Sequence, residues 1–120
     1  MPSLIEHETQ YRHNLEFVQT FYPGTKYLDW VITLYFYAAV HLIEMLYASL
    51  GAHHKGHGAR NQHIATDHPT IAVEYMQLYL ESRRVRYDCW MPPGVQYIEN
   101  LVRSNFVPIE NYVKTRLGIP

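Results

Sequence analysis

The chain has 120 residues and a mass of 14.2 kDa, which predicts a single domain (residues 1–120) with a real hydrophobic core. A hydrophobic fraction of 48% and eleven tyrosines exclude a disordered chain. The formal net charge of -1 excludes a positive field over the whole protein, so binding of nucleic acid would need a local basic patch. A lone cysteine, Cys89, excludes an internal disulfide and, with no recognisable export signal, predicts a cytoplasmic protein.

The first predicted helix begins at the very N-terminus. Ser3 and Glu6 form the S-x-x-E pattern of a capping box. His7 lies off the apolar face of this helix, and Pro23-Gly24 ends it. The residues that recur at helical spacing and predict its core-facing side are Leu4, Tyr11, Leu15, Val18 and Tyr22.

The second predicted helix, Trp30 to Leu50, is apolar on nearly every side. Asp29 suits its N-cap or first turn, and Gly51 suits the left-handed position that follows a helix. Such a helix is usually the buried centre of a bundle. It is also long enough to span a membrane, but the polar residues within it, among them Glu44, argue against a span.

The polar exceptions on this helix form one stripe. At about 100° per residue, Thr33, Tyr37, His41 and Glu44 fall on the same side. A buried polar group without a partner costs about 1–3 kcal/mol. Either other helices satisfy this supporting polar stripe, with Glu44 holding a histidine of the following loop, or the stripe lines a functional cleft.

A loop rich in glycine and histidine follows the central helix. Its HHxxH arrangement, His53, His54 and His57, lies close in sequence to His41 and Glu44 and offers donors for zinc or nickel. Catalytic zinc motifs usually place two histidines on a rigid helix, whereas these lie in a flexible loop. Metal binding by the loop is therefore an alternative, and the main expectation is no metal and no cofactor.

Two helical segments are predicted after the loop. The first runs from Ala59 to about Asp67, and Pro69 suits the first turn of the second. A basic cluster lies at the end of the second segment, beside Tyr87 and Trp90. Together they could bind phosphate and stack on a base, or the cluster could be a solvated helix end. The cluster consists of Arg83, Arg84 and Arg86.

The last predicted helix runs from about Val95 to Leu117, with apolar residues at near-heptad spacing. Pro108 should kink or break it near Ser104-Asn105, and Gly118 closes it. No stretch shows convincing strand alternation. The sequence therefore predicts an all-α protein, most simply an up-and-down four-helix bundle with a kinked or broken third and fourth helix.

Several of these residues form a pattern that resembles the HEPN superfamily, over about residues 5 to 115. The resemblance implies a small helical bundle, often a homodimer. Many members are metal-independent endoribonucleases or toxins paired with a nucleotidyltransferase, and others are non-catalytic binding or scaffold domains. The pattern comprises Asp29-Trp30, Phe36-Tyr37-Ala38-Ala39, His41, Glu44, His57, Arg60, Ser82-Arg83 and Arg86-Tyr87-Asp88.

Catalytic members of that superfamily carry an arginine separated from a histidine by roughly four to six residues, often with a polar residue directly after the arginine. Arg60-Asn61 matches the start of this motif, but His63 follows after two residues and His68 after seven. An arginine would neutralise transition-state charge and a histidine would move a proton. The candidate catalytic residues are thus Arg60, His63 and His57, and the spacing leaves catalysis open.

The sequence favours a HEPN-like homodimer that engages RNA or a nucleotide, with Asn61, Lys55, Arg83, Arg84 and Arg86 as candidate phosphate-binding residues. Two alternatives remain. Arg60 could instead pair structurally with Glu44 in a non-catalytic homodimeric adaptor that binds a partner protein through tyrosine-rich surface. In the other alternative, the loop histidines bind a metal ion.

Overall fold

The computed structural model describes all 120 residues and is helical throughout, with no β-strand. The predicted all-α class is therefore confirmed. The α-helices are α1 (Leu4–Gln19), α2 (Leu28–Ala48), α3 (His57–Asp67), α4 (Pro69–Tyr87), α5 (Val95–Leu101) and α6 (Val107–Leu117), and a π-helical segment, Val102–Phe106, joins α5 to α6.

Helix α1 begins with the predicted capping box. The hydroxyl of Ser3 accepts a hydrogen bond from Glu6 N at 3.1 Å, and Glu6 Oε1 accepts one from Ser3 N at 3.0 Å. Tyr11 and Val18 are buried against α2, as their spacing predicts. His7 lies off the apolar pattern but is also buried. The reason is that α1 packs along α2, and this contact buries more of the surface of α1 than its apolar stripe alone.

Helix α2 is the centre of the fold and contacts α1, α4, α5 and α6. Fourteen of its 21 residues are buried, which confirms it as the core helix. It begins at Leu28 and ends at Ala48, two residues earlier at each end than predicted, and the predicted end residues Trp30 and Leu50 are both exposed. The helix is long and apolar enough to cross a membrane, yet most of it is enclosed by the rest of the compact chain, as in the core helix of a soluble protein.

Two prolines divide the later helices where the sequence predicts a break. Pro69 begins α4 directly after His68, whose φ of -134° ends α3. Pro108 lacks the N–H that would bond to the carbonyl of Ser104, and the chain forms the π-helical segment just before it. The predicted distortion near Ser104 is therefore present as a π-helical turn.

Candidate functional site

Three side chains of the polar stripe of α2 find partners on α4, on α1 and within α2 itself. Arg86 Nη1 on α4 donates to Tyr37 Oη at 2.8 Å, and His7 Nδ1 on α1 lies 3.0 Å from His41 Nδ1. Thr33 Oγ1 donates to a backbone carbonyl one turn earlier at 2.9 Å. Each of these three side chains thus has a partner, as in the first of the two interpretations of the sequence, whereas Glu44 Oε2 at the end of the stripe has none.

Glu44 is the buried end of the stripe and is bound by two side chains. Arg60 Nε donates to Glu44 Oε1 at 2.9 Å, and His54 Nδ1 donates to the same oxygen at 3.0 Å. Glu44 is only 2% exposed and Arg60 only 6%. The ion pair agrees with the alternative in which Arg60 pairs structurally with Glu44. The contact with His54 is the predicted bond between Glu44 and a histidine of the loop.

The three candidate catalytic residues belong to one chain of hydrogen bonds that passes through Glu44. Arg60 Nη1 donates to His57 Nδ1 at 3.1 Å, while His54 Nε2 lies 2.6 Å from His63 Nδ1. Arg60 is buried in the middle of this chain, and His57 and His63 join it at its two ends. The structure therefore connects the three residues but does not place them together around one open site.

A cationic and aromatic surface forms where the start of α3 meets the last turns of α4. We call it the basic-aromatic surface and define it by His57, Tyr79, Arg83, Arg86 and Tyr87. The His57 and Tyr79 rings are 5.6 Å apart. Arg83 lies 5.4 Å and Arg86 5.1 Å from the centre of the Tyr87 ring, within range of cation–π interaction.

This surface carries uncompensated positive charge. Neither Arg83 nor Arg86 has a carboxylate within 4.0 Å, and Asp88 acts on Arg83 only from beyond that distance. Burial lowers the pKa of His57 below its usual 6.5, and the guanidinium groups of Arg60, Arg86 and Arg83 lower it further. His57 is therefore neutral at pH 7, and the positive charge of the surface comes from the exposed guanidinium of Arg83 and the half-buried guanidinium of Arg86.

The other candidate phosphate-binding residues lie elsewhere. Arg84 stacks on Trp90, 3.8 Å from the ring centre, and Nη1 of Arg84 donates to Glu81 Oε1 at 3.1 Å. Lys55 is exposed in the loop, and Asn61 is half-buried on α3. Of the predicted basic cluster, Arg83 and Arg86 thus join His57, whereas Arg84 faces the connection that follows α4.

The loop histidines do not converge as a metal-binding trio. Both ring nitrogens of His54 are hydrogen-bonded, to Glu44 and to His63, and His57 is bonded to Arg60. Ligand atoms come together instead in His7, Glu44 and His53, all within 4.8 Å of one another. The sequence analysis missed His7, because its approach to Glu44 is a contact between α1 and α2 that helical periodicity does not predict.

A second surface feature lies where α1 ends and α2 begins. Phe17, Phe21, Tyr27 and Trp30, with Thr25, line an open groove of about 630 Å³. Trp30 is 58% exposed. We call this feature the aromatic groove; none of its lining residues is charged.

No protein-family model, curated protein or solved structure matches this chain.

Proposed function

We propose that this chain is a HEPN-like domain that binds RNA or a nucleotide through the basic-aromatic surface. The observation that carries the proposal is the convergence of His57 from α3 with Arg83 and Arg86 from α4, without a carboxylate within 4.0 Å of either guanidinium. Guanidinium groups bind phosphate oxygens in a bidentate manner, and tyrosine rings stack on bases. Tyr79 and Tyr87 supply such rings beside the two arginines.

The proposed HEPN likeness includes the arrangement of the helices. If α3 with α4 and α5 with α6 each count as one broken helix, the chain is an up-and-down four-helix bundle. The breaks fall at Pro69 and shortly before Pro108. The motif residues that resemble the superfamily then lie on the second and third helices of that bundle.

The proposal is one of binding and assigns no cleavage. Arg60 would have to neutralise charge on a transition state, but it is buried and its Nε is bonded to Glu44. His63 is bonded to His54 rather than placed beside His57. A toxin-type role with a nucleotidyltransferase partner, and a cytoplasmic location, stay predictions of the sequence.

We expect Arg83→Ala to weaken binding of a fluorescently labelled, mixed-sequence single-stranded RNA by about tenfold, measured by anisotropy in the presence of a chelator. The reason is the loss of one charge-assisted contact to phosphate, worth about 1.5 kcal/mol. Arg103→Ala is the matched control, because Arg103 is also exposed and without an ion pair but lies on the π-helical segment.

The two variants change the net charge equally, so that a difference between them locates the binding surface. Equal affinities of the two variants would contradict the proposal, as would a wild-type protein that binds no RNA. In the second case the alternative of a non-catalytic homodimeric adaptor, which binds a partner protein through its tyrosine-rich surface, becomes the better account.

We also propose that the chain forms a homodimer and that a second copy covers the aromatic groove. An uncharged, aromatic lining brings no like charges together when two copies meet and suits the core of an interface between them. Light scattering should give twice the chain mass of 14.2 kDa. Phe17→Glu should return it to the mass of one chain, whereas Val73→Glu, at an exposed apolar position on α4, should not. A single-chain mass for the wild type at all concentrations would contradict the dimer.

A further inference from the structure

Two buried polar atoms without a hydrogen-bond partner lie between α1 and α2. They are Glu44 Oε2 and His7 Nε2, on side chains whose other polar atoms are bonded. His7 is 5% exposed, and Glu44 is even more buried. An unpartnered buried polar atom costs about 1–3 kcal/mol, so each of these two calls for a partner that its neighbours in the chain do not supply.

A third donor from the histidine-rich loop completes the group. His53 stacks on His7, with ring centres 6.4 Å apart, and one ligand atom from each of His7, Glu44 and His53 lies within 4.8 Å of the other two. Three atoms within 4.8 Å of one another all lie within about 2.8 Å of some common point, against about 2.0–2.1 Å for a zinc–nitrogen bond. A movement of about 0.7 Å per ligand closes the difference, and His53 is carried by a loop.

The two buried ligands are already oriented. If His7 donates its Nδ1 hydrogen to His41 Nδ1, at 3.0 Å, its Nε2 lone pair points away from that bond and is free to bind a cation. Glu44 is held on Oε1 by Arg60 and His54, which leaves Oε2 for the same cation. Histidine and carboxylate ligands of protein metal sites are commonly fixed in this way by a second hydrogen bond.

The donor set indicates which ions fit. Two imidazoles and one carboxylate suit zinc and neighbouring first-row divalent ions, whereas magnesium and calcium prefer oxygen ligands. Arg60 partly neutralises the carboxylate of Glu44, so the two imidazole nitrogens are the more important ligands for the ion. A pocket of about 380 Å³, lined by Glu6, His7 and His41 among others, reaches one of the three ligands from the surface.

We propose that His7, Glu44 and His53 bind one divalent transition-metal ion, with His41, His54 and Arg60 orienting the ligands. This site shares only His53 with the HHxxH loop trio, and it replaces the expectation that the chain holds no metal. It does not depend on RNA binding, since none of its three ligands belongs to the basic-aromatic surface.

The test is a titration of the purified, chelator-stripped chain with Zn²⁺ by calorimetry and with Co²⁺ by visible absorption. The wild type should bind one ion per chain. His53→Ala should weaken binding by at least about 100-fold, and His41→Ala by about 10–100-fold, the usual range for a residue that orients a ligand. His13→Ala is the control, because His13 is an exposed histidine on α1, and it should leave the affinity unchanged.

His53 is the decisive position because it is half-buried in a loop, whereas a change at Glu44 would also release Arg60 and threaten the fold. Circular dichroism of each variant confirms that it is folded. Absence of binding by the wild type would overturn the proposal and leave a bridging water as the shared partner of Glu44 and His7. Undiminished binding by His53→Ala, or a loss in His57→Ala as large as in His53→Ala, would also overturn it.

Discussion

Arg60→Ala is expected to lower the free energy of unfolding by about 3–5 kcal/mol, because it leaves Glu44 as an uncompensated charge in the interior. The two side chains form a 2.9 Å ion pair between α3 and α2, and both are buried. Urea denaturation followed by far-UV circular dichroism measures the change. Arg12→Ala is the matched control, since Arg12 pairs with Glu8 at 3.0 Å on the surface of α1 and should contribute no more than about 1 kcal/mol.

A double variant separates the lost ion pair from a general effect of truncating α3. Replacing Arg60 by Met and Glu44 by Leu removes both charges while keeping most of the volume, so it should recover part of the stability lost in Arg60→Ala. A loss below about 1 kcal/mol in Arg60→Ala would mean that Glu44 is solvated or protonated, and the buried network would then need a different description.

The second large effect is expected at Leu42, in the middle of α2. Leu42→Ala should cost about 2–5 kcal/mol, because the side chain is fully buried and its removal leaves a cavity in the main core cluster, which also contains Tyr11, Tyr75 and Ile109. Leu50→Ala provides the comparison, since Leu50 follows the same helix but is 79% exposed and should change stability by less than about 0.5 kcal/mol. Near-neutral effects at Leu42 and at the buried Leu46 would contradict the assignment of α2 as the core helix.

Much of the fold could be predicted from the sequence, because its signals are local. The capping box of Ser3 and Glu6, the apolar length of α2 and the two prolines that divide the later helices each act within a few residues along the chain. The starting residue of α3 was less well predicted. The helix begins at His57, two residues before the periodicity resumes at Ala59, because a first helical turn needs no apolar residue.

The candidate site could be predicted only in part, because its contacts join distant segments. The stripe on α2 indicated that Glu44 needs a partner, and the loop and α3 supply His54 and Arg60. Nothing in the local pattern places His7 beside His41, which is 34 positions away. Likewise, adjacent arginines on one helix point about 100° apart, which is why Arg84 faces Trp90 while Arg83 joins the basic-aromatic surface.

The internal use of Arg60 also bears on the proposed function. A guanidinium that neutralises Glu44 in the interior is not free to bind phosphate, so the binding surface must be built from other cations. Arg83 is available because it is exposed and has no carboxylate partner within 4.0 Å. Arg86 also lacks a carboxylate partner, but its three guanidinium nitrogens donate to Ser82 and Tyr37, so it adds charge to the surface rather than free donors. The position of both arginines over Tyr87 also brings an aromatic ring to the same surface.

The salt dependence of RNA binding tests this account most directly. Binding of a single-stranded RNA to the wild type and to Arg83→Ala is measured over a series of salt concentrations with chelator present. Each phosphate contact on a single strand contributes about 0.7 to the slope of log affinity against log salt concentration, so the slope of the variant should be smaller by about that amount. We predict this reduced slope for Arg83→Ala and an unchanged slope for Arg103→Ala. Identical slopes for all three proteins, or no salt-dependent binding by the wild type, would contradict the proposed function.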